Sequence, residues 1–126
     1  MCYNLKSCFM KNFKELKIWN KGFDIAVKTF KLVNTFPKEE RFGLSIQMTR
    51  SAVSISSNIA EGSSRTSQKD YLRFMEISLG STFELETQLL IVQGAGFGSG
   101  ELRDEILRDI DEEEKMLIGF INKLKV

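Results

Sequence analysis

A chain of 126 residues, 42% of them hydrophobic and only one a proline, is long enough to fill a single core without disulfides or metal. Its formal charge is only +1, and no apolar run reaches the roughly 20 residues that a membrane-spanning helix needs. Both cysteines, Cys2 and Cys8, lie in the first ten residues, where they cannot staple a core, so a disulfide framework is excluded and a reducing cytoplasm is the expected compartment.

Residues 1–10 have no continuous apolar stretch followed by a cleavage site and are expected to form a flexible leader, with one domain over 11–126. The first helix places Leu16, Trp19, Phe23, Ala26, Phe30 and Val33 at spacings of three and four, one apolar stripe that ends near Asn34 because Pro37 disfavours helical geometry at Phe36. A second helix is expected from Pro37 to about Glu61. Met48, Ala52, Ile55 and Ile59 form its seam, and Leu44, Ile46, Val53 and Ala60 widen it. Gly62 then supplies a left-handed cap before short polar turn residues, and Ser67 with Asp70 reads as a capped start of the third helix.

The third helix carries Tyr71, Met75, Ser78, Thr82, Leu85, Leu89 and Val92 at heptad spacing and is expected to stop at Gly94. Four glycines among residues 94–100 make that tract a connection with a high entropic cost of ordering. The fourth helix begins near Glu101, and its stripe of Leu102, Ile106, Ile110, Leu117, Phe120 and Leu124 is interrupted only by Glu113. Short connections make sequential helices antiparallel neighbours, so the fold class is all-α, an antiparallel up-down-up-down four-helix bundle.

Chemistry is scarce. With no histidine, the chain lacks the commonest general base at neutral pH and cannot build the Glu-x-x-His pairs of a di-iron bundle. The glycines of 94–100 join helices instead of following a strand, and the acids from Asp109 to Glu114 point in divergent directions around a helix. No catalytic residue, metal site or cofactor is expected.

Two patterns remain. On helix 2, Gln47, Arg50, Ser54, Asn58 and Glu61 are spaced by three and four, so they share one face. They form either an exposed stripe or a hydrogen-bonded network at a subunit contact or groove, since Arg and Asn are directional donors. In a hairpin centred near 64 and 65, Arg50 lies close to Leu79–Phe83, within reach of Glu84 or Glu76 for a bidentate pair. Between large apolar residues, Gly80 and Ser81 would let another backbone approach closely. On helix 1, Lys14, Lys17, Lys21, Lys28 and Lys31 form either the solvated side of an amphipathic helix or a phosphate-binding surface. The charge is lopsided: residues 1–50 hold ten Lys/Arg against four Asp/Glu, and residues 51–126 hold eight against thirteen.

The segment from Phe36 to Leu44, followed by Gln47, Arg50–Ile55 and Asn58–Arg65, resembles the proteins encoded in intervening sequences of bacterial 23S ribosomal RNA genes. The resemblance extends over most of residues 11–125, including Leu79, Gly80, Ser81 and Glu84, and marks Arg50, Ser54, Asn58, Glu61, Gly62 and Arg65 as motif positions. It implies a homopentamer of up-down bundles. It also implies a relation to accessory proteins of diversity-generating retroelements, which bind nucleic acid together with a reverse transcriptase. The expectation is a non-enzymatic, oligomeric protein that binds RNA or DNA phosphates through basic surfaces. The alternative is a scaffold that recognises a partner protein, such as a reverse transcriptase, through charged helical faces.

Overall fold

The structure, a computed structural model, describes residues 12–40 and 43–125; the leader with Cys2 and Cys8, and Arg41 and Phe42 of the motif segment, lie outside the described residues. Four helices account for most of it: α1 (Lys17–Val33), α2 (Leu44–Ser63), α3 (Gln68–Ala95) and α4 (Gly100–Lys125). Each helix packs on the next and α4 returns to α1, which closes a four-helix bundle. One-turn 3-10 segments at Phe13–Glu15 and Lys38–Glu40 precede α1 and α2.

The seam expected for α2 is the buried one, with Met48, Ala52, Ile55 and Ile59 all fully covered. On α3 and α4 the heptad residues Met75, Ser78, Thr82, Leu85, Leu89, Val92, Ile106, Ile110 and Leu117 are likewise buried. Ser67 caps α3, its hydroxyl accepting from the amide of Asp70 at 3.2 Å.

Helix α1 departs from expectation. Its buried face is Ile18, Gly22, Ile25, Thr29 and Leu32, joined by Val33, whereas Phe23 and Phe30 are about half exposed. The aromatic stripe is rotated by roughly one residue, about 100°, from the face that enters the core. Ile46 and Val53 on α2 are also exposed and do not widen its seam.

The boundaries move for local reasons. Helix α2 starts at Leu44, after the turn at Lys38–Glu40, and runs through Gly62 to Ser63. Gly62 is therefore a close-approach residue and not a left-handed cap: a Cβ there would lie 2.8 Å from the Phe74 Cβ and 2.9 Å from the Met75 Cε of α3. The left-handed cap is Gly96, at φ 77°, which ends α3 two residues beyond Gly94. The glycine tract is pinned against the end of α1. Phe97 packs edge-on against Phe36 at 5.0 Å, the Ser99 amide donates to Thr35 Oγ1 at 2.9 Å, and a Cβ on Gly98 would meet the Phe36 ring at 2.7 Å.

Two glycines of the helix pair α2–α3 give opposite expectations. Gly62→Ala should destabilise the fold by about 1–3 kcal/mol, because two packed side chains must shift. Gly80 is exposed and has no atom within 4 Å of where its Cβ would sit, so Gly80→Ala should stabilise by up to about 1 kcal/mol through helix propensity. Urea melts of both variants check this; equal shifts would contradict it.

Candidate functional site

The polar line of α2 splits between two roles. Its centre locks α2 to α3: Asn58 Nδ2 donates to the Ser54 hydroxyl and to the Ser54 carbonyl, each at 2.8 Å, and Ser54 Oγ lies 2.8 Å from Ser81 Oγ. Beside it, the buried Ser78 hydroxyl donates to the Ile55 carbonyl at 2.8 Å. Small hydroxylated residues thus satisfy one another across a close helix contact that larger side chains would hold apart. Ser81, not Gly80, is the small residue used here.

The ends of the line face solvent. Gln47, Arg50 and Glu84 line an open cleft of about 350 Å³ with Ser51 and Ser54. Arg50 and Glu84 thus meet at one place, as the hairpin register requires, but they are not ion-paired: among the described residues no carboxylate lies within 4.0 Å of the exposed Arg50 guanidinium. At the other end, Arg65 Nη2 donates to Glu61 Oε1 at 2.7 Å, and its guanidinium lies 4.8 Å from the centre of the Phe74 ring. Arg73 approaches the same ring at 5.2 Å.

The lysines of α1 are divided by α4. Lys28 Nζ contacts Asp109 at 2.6 Å and Glu105 at 3.0 Å; Lys21 Nζ contacts Glu112 at 2.8 Å and Asp109 at 3.6 Å. Hydrogen bonding to these carboxylates raises both lysines above their ordinary values, against a smaller opposing effect of burial. Lys14, Lys17 and Lys31 remain exposed. A signal for this pairing stands in the sequence: Lys21 with Glu112 and Lys28 with Glu105 have the same index sum, as partners on antiparallel helices must.

Glu113 lies on the buried stripe where periodicity put it. It interrupts the stripe of α4 in composition, but its side chain lies in the core, fully covered, with no hydrogen-bond partner for either carboxylate oxygen among the described residues. A Cβ on Gly22 of α1 would sit 3.0 Å from Glu113 Oε2 and 3.1 Å from Ile55 Cγ2, so the missing side chain of Gly22 makes the room that the carboxyl occupies. Burial pushes Glu113 from 4.5 up to about 8, with Lys21 pulling weakly the other way. On the α3–α4 side, burial and a contact with Glu86 push Glu114 up to about 8 as well.

These side chains form no nucleophile-and-base pair, and among the described residues no group of three or more His, Cys, Asp or Glu could hold a metal ion. What the fold presents is a helical bundle with a polar cleft, a flank of ion-paired lysines and exposed apolar sides. Residues 14–119 match the model of the 23S rRNA-intervening sequence protein family, and the chain belongs to that family. It is similar in structure to a protein with unknown function from the S23 ribosomal protein family of Bacteroides thetaiotaomicron, at 30% identity and a TM-score of 0.73, over 82% of this chain and 97% of that one. None of the curated proteins compared with the chain matches it.

Glu113 gives a pH dependence with a definite sign. Its folded value lies above its unfolded value, so the fold holds a proton that the unfolded chain releases, and stability falls as pH rises from about 4.5 to about 8. The full effect of that window is roughly 5 kcal/mol at 1.36 kcal/mol per unit. Glu113→Gln should flatten the slope of unfolding free energy against pH and raise stability near pH 8, leaving a residual slope from Glu114. Denaturant melts between pH 5 and 9 measure it. A variant with the wild-type slope would show that Glu113 does not titrate with folding.

Proposed function

We propose that the chain is a non-enzymatic, ring-forming subunit, a homopentamer, that associates with RNA or DNA as an assembled particle in the cytoplasm. The observation that carries this reading is a pair of exposed apolar seams on different sides of the bundle. Phe30 of α1 forms one wall of an open cleft of about 410 Å³ with Thr49, Val53 and Ser57 of α2, and Phe23 and Ile46, one heptad before Phe30 and Val53, are exposed on the same helix faces. Seven residues apart, Phe83 and Leu90 share the side of α3 that carries Glu86 toward α4, where Ile118 is also exposed. Two unlike apolar seams suit a heterologous contact, in which one side of a subunit meets the other side of the next and the chain of contacts closes into a ring. Multiple copies then let weak phosphate contacts add. Among the described residues no helix is long and apolar enough to cross a membrane.

The ion pairs of Lys21 and Lys28 favour a second reading. They withdraw two cations from any polyanion, which leaves more weight on a scaffold that recognises a partner protein, such as a reverse transcriptase, through its charged helices.

Light scattering at micromolar concentration should give about five times the subunit mass, insensitive to moderate salt because the seams are apolar. Phe30→Asp and Phe83→Asp should each shift that mass toward the monomer without unfolding it, since both rings are half exposed. A monomeric wild type would reject the ring. Fluorescence anisotropy with labelled RNA and DNA tests the other half; no binding to either at low salt rejects nucleic-acid association and favours the scaffold.

A further inference from the structure

We propose that the nucleic-acid backbone is held at one end of the bundle, on the cations of the α2–α3 turn and the last turn of α4, and not along α1. This rests on the nucleic-acid reading above and assigns its contact surface.

Residues 61–73 and 119–125 carry Arg65, Lys69, Arg73, Lys123 and Lys125, all exposed, against only Glu61 and Asp70. The fold brings the two segments together. Gln68 Nε2 donates to the Leu124 carbonyl, and Tyr71 packs edge-on against Phe120 at 5.6 Å between ring centres. Lys17, the α1 lysine nearest this end, lines a common cleft with Lys123. At the opposite end, residues 28–40 and 94–105 hold four Lys/Arg against five Asp/Glu, so the excess of cations is confined to the end that holds the α2–α3 turn.

Availability separates this end from Lys21 and Lys28, though not from Lys14, Lys17 and Lys31, which are exposed and more scattered. Lys21 and Lys28 already have two carboxylates each, and a phosphate would have to displace them. Among the described residues, Lys69, Arg73, Lys123 and Lys125 have no carboxylate within 4.0 Å. The guanidiniums of Arg65 and Arg73 lie 4.8 and 5.2 Å from the centre of the Phe74 ring, which limits their freedom before any ligand arrives. Lys69 and Arg73 follow one another by one helical turn, about 6 Å along the axis. The cations are therefore spread over an open surface drawn from separate segments. A small anion needs donors that converge on one point; a phosphodiester chain, with charges repeated along its length, fits a spread row and gains from counterion release. Guanidinium planes beside an aromatic ring also offer stacking to unpaired bases.

The test uses the full chain and anisotropy titrations with a labelled single-stranded RNA and a duplex DNA of equal length, across a range of salt. A triple variant, Lys69→Gln with Arg73→Gln and Lys123→Gln, is compared with a control that removes exposed cations elsewhere, Lys31→Gln with Lys38→Gln. Circular dichroism melts establish that both remain folded. The triple variant should bind at least about tenfold more weakly, and its slope of log affinity against log salt should fall by about two to three, near 0.7–0.9 per lost contact. The control should change affinity by less than about twofold. Stronger loss on RNA than on DNA identifies a single strand as the occupant; the reverse order identifies a duplex. If the wild type binds and the triple variant keeps its affinity and slope, or if the control loses as much, the assignment to this end is overturned while the nucleic-acid reading stands. A wild type that binds neither probe overturns both.

Discussion

Closure of the bundle depends on the contact between its first and last helices, and polar groups set the register of that contact around an apolar core. Outside, Lys21 and Lys28 reach Asp109, Glu105 and Glu112; inside, Gly22 makes room for the covered carboxyl of Glu113. Both halves require the same rotation of α1. With Lys21 and Lys28 toward α4 and Gly22 inward, the aromatic residues Phe23 and Phe30 must fall on the outer side next to α2. Burying a side chain of that size contributes about 1.5–3 kcal/mol, so leaving two of them half exposed forgoes appreciable stability in the isolated subunit. The cost would be recovered where another surface covers them, as in the assembly proposed above.

The same rotation explains what could be read from the sequence and what could not. In helices α2, α3 and α4 the seam read from heptad spacing is the buried one, although α2 and α3 also carry exposed apolar residues such as Val53, Phe83 and Leu90, and Ser67 with Asp70 placed a helix start within a residue. Helix α1 has two stripes about 100° apart. The richer one, through Trp19, Phe23 and Phe30, wins on hydrophobicity, yet the poorer one, through Gly22 and Thr29, enters the core. Periodicity within a single helix cannot break that tie, because the deciding partners sit about 80 to 90 positions further along the chain, on α4.

The interaction surface was legible to a similar degree and for a similar reason. Spacing placed Gln47, Arg50, Ser54, Asn58 and Glu61 on one face and brought Arg50 to the level of Glu84, but the network closes through Ser54, Asn58 and Ser81, where hydroxyls are short enough to meet across the helix contact. Gly62 looked like a cap because serines follow it; only the position of Phe74 shows that the glycine serves a close approach. Glu113 looked like a break in an apolar stripe. A carboxyl in that place costs least at acid pH, where it is neutral though still without a hydrogen-bond partner, and increasingly more as pH rises toward 8.

Side and end of the bundle are separate resources. The apolar seams run along the helices, whereas Lys69, Arg73, Lys123 and Lys125 lie near one another where the α2–α3 turn meets the end of α4. In a cyclic assembly built through the sides, every subunit would point the same way along the ring axis, so the basic ends would gather on one rim. Each subunit then adds its own row of cations at a fixed distance from the next, and a polyanion that engages one row meets the others at high effective concentration. Assembly through apolar burial resists salt, while attraction at the rim is screened within about 8–10 Å at physiological ionic strength. The two interactions therefore respond to different conditions, and a particle of this kind can release its polyanion without coming apart.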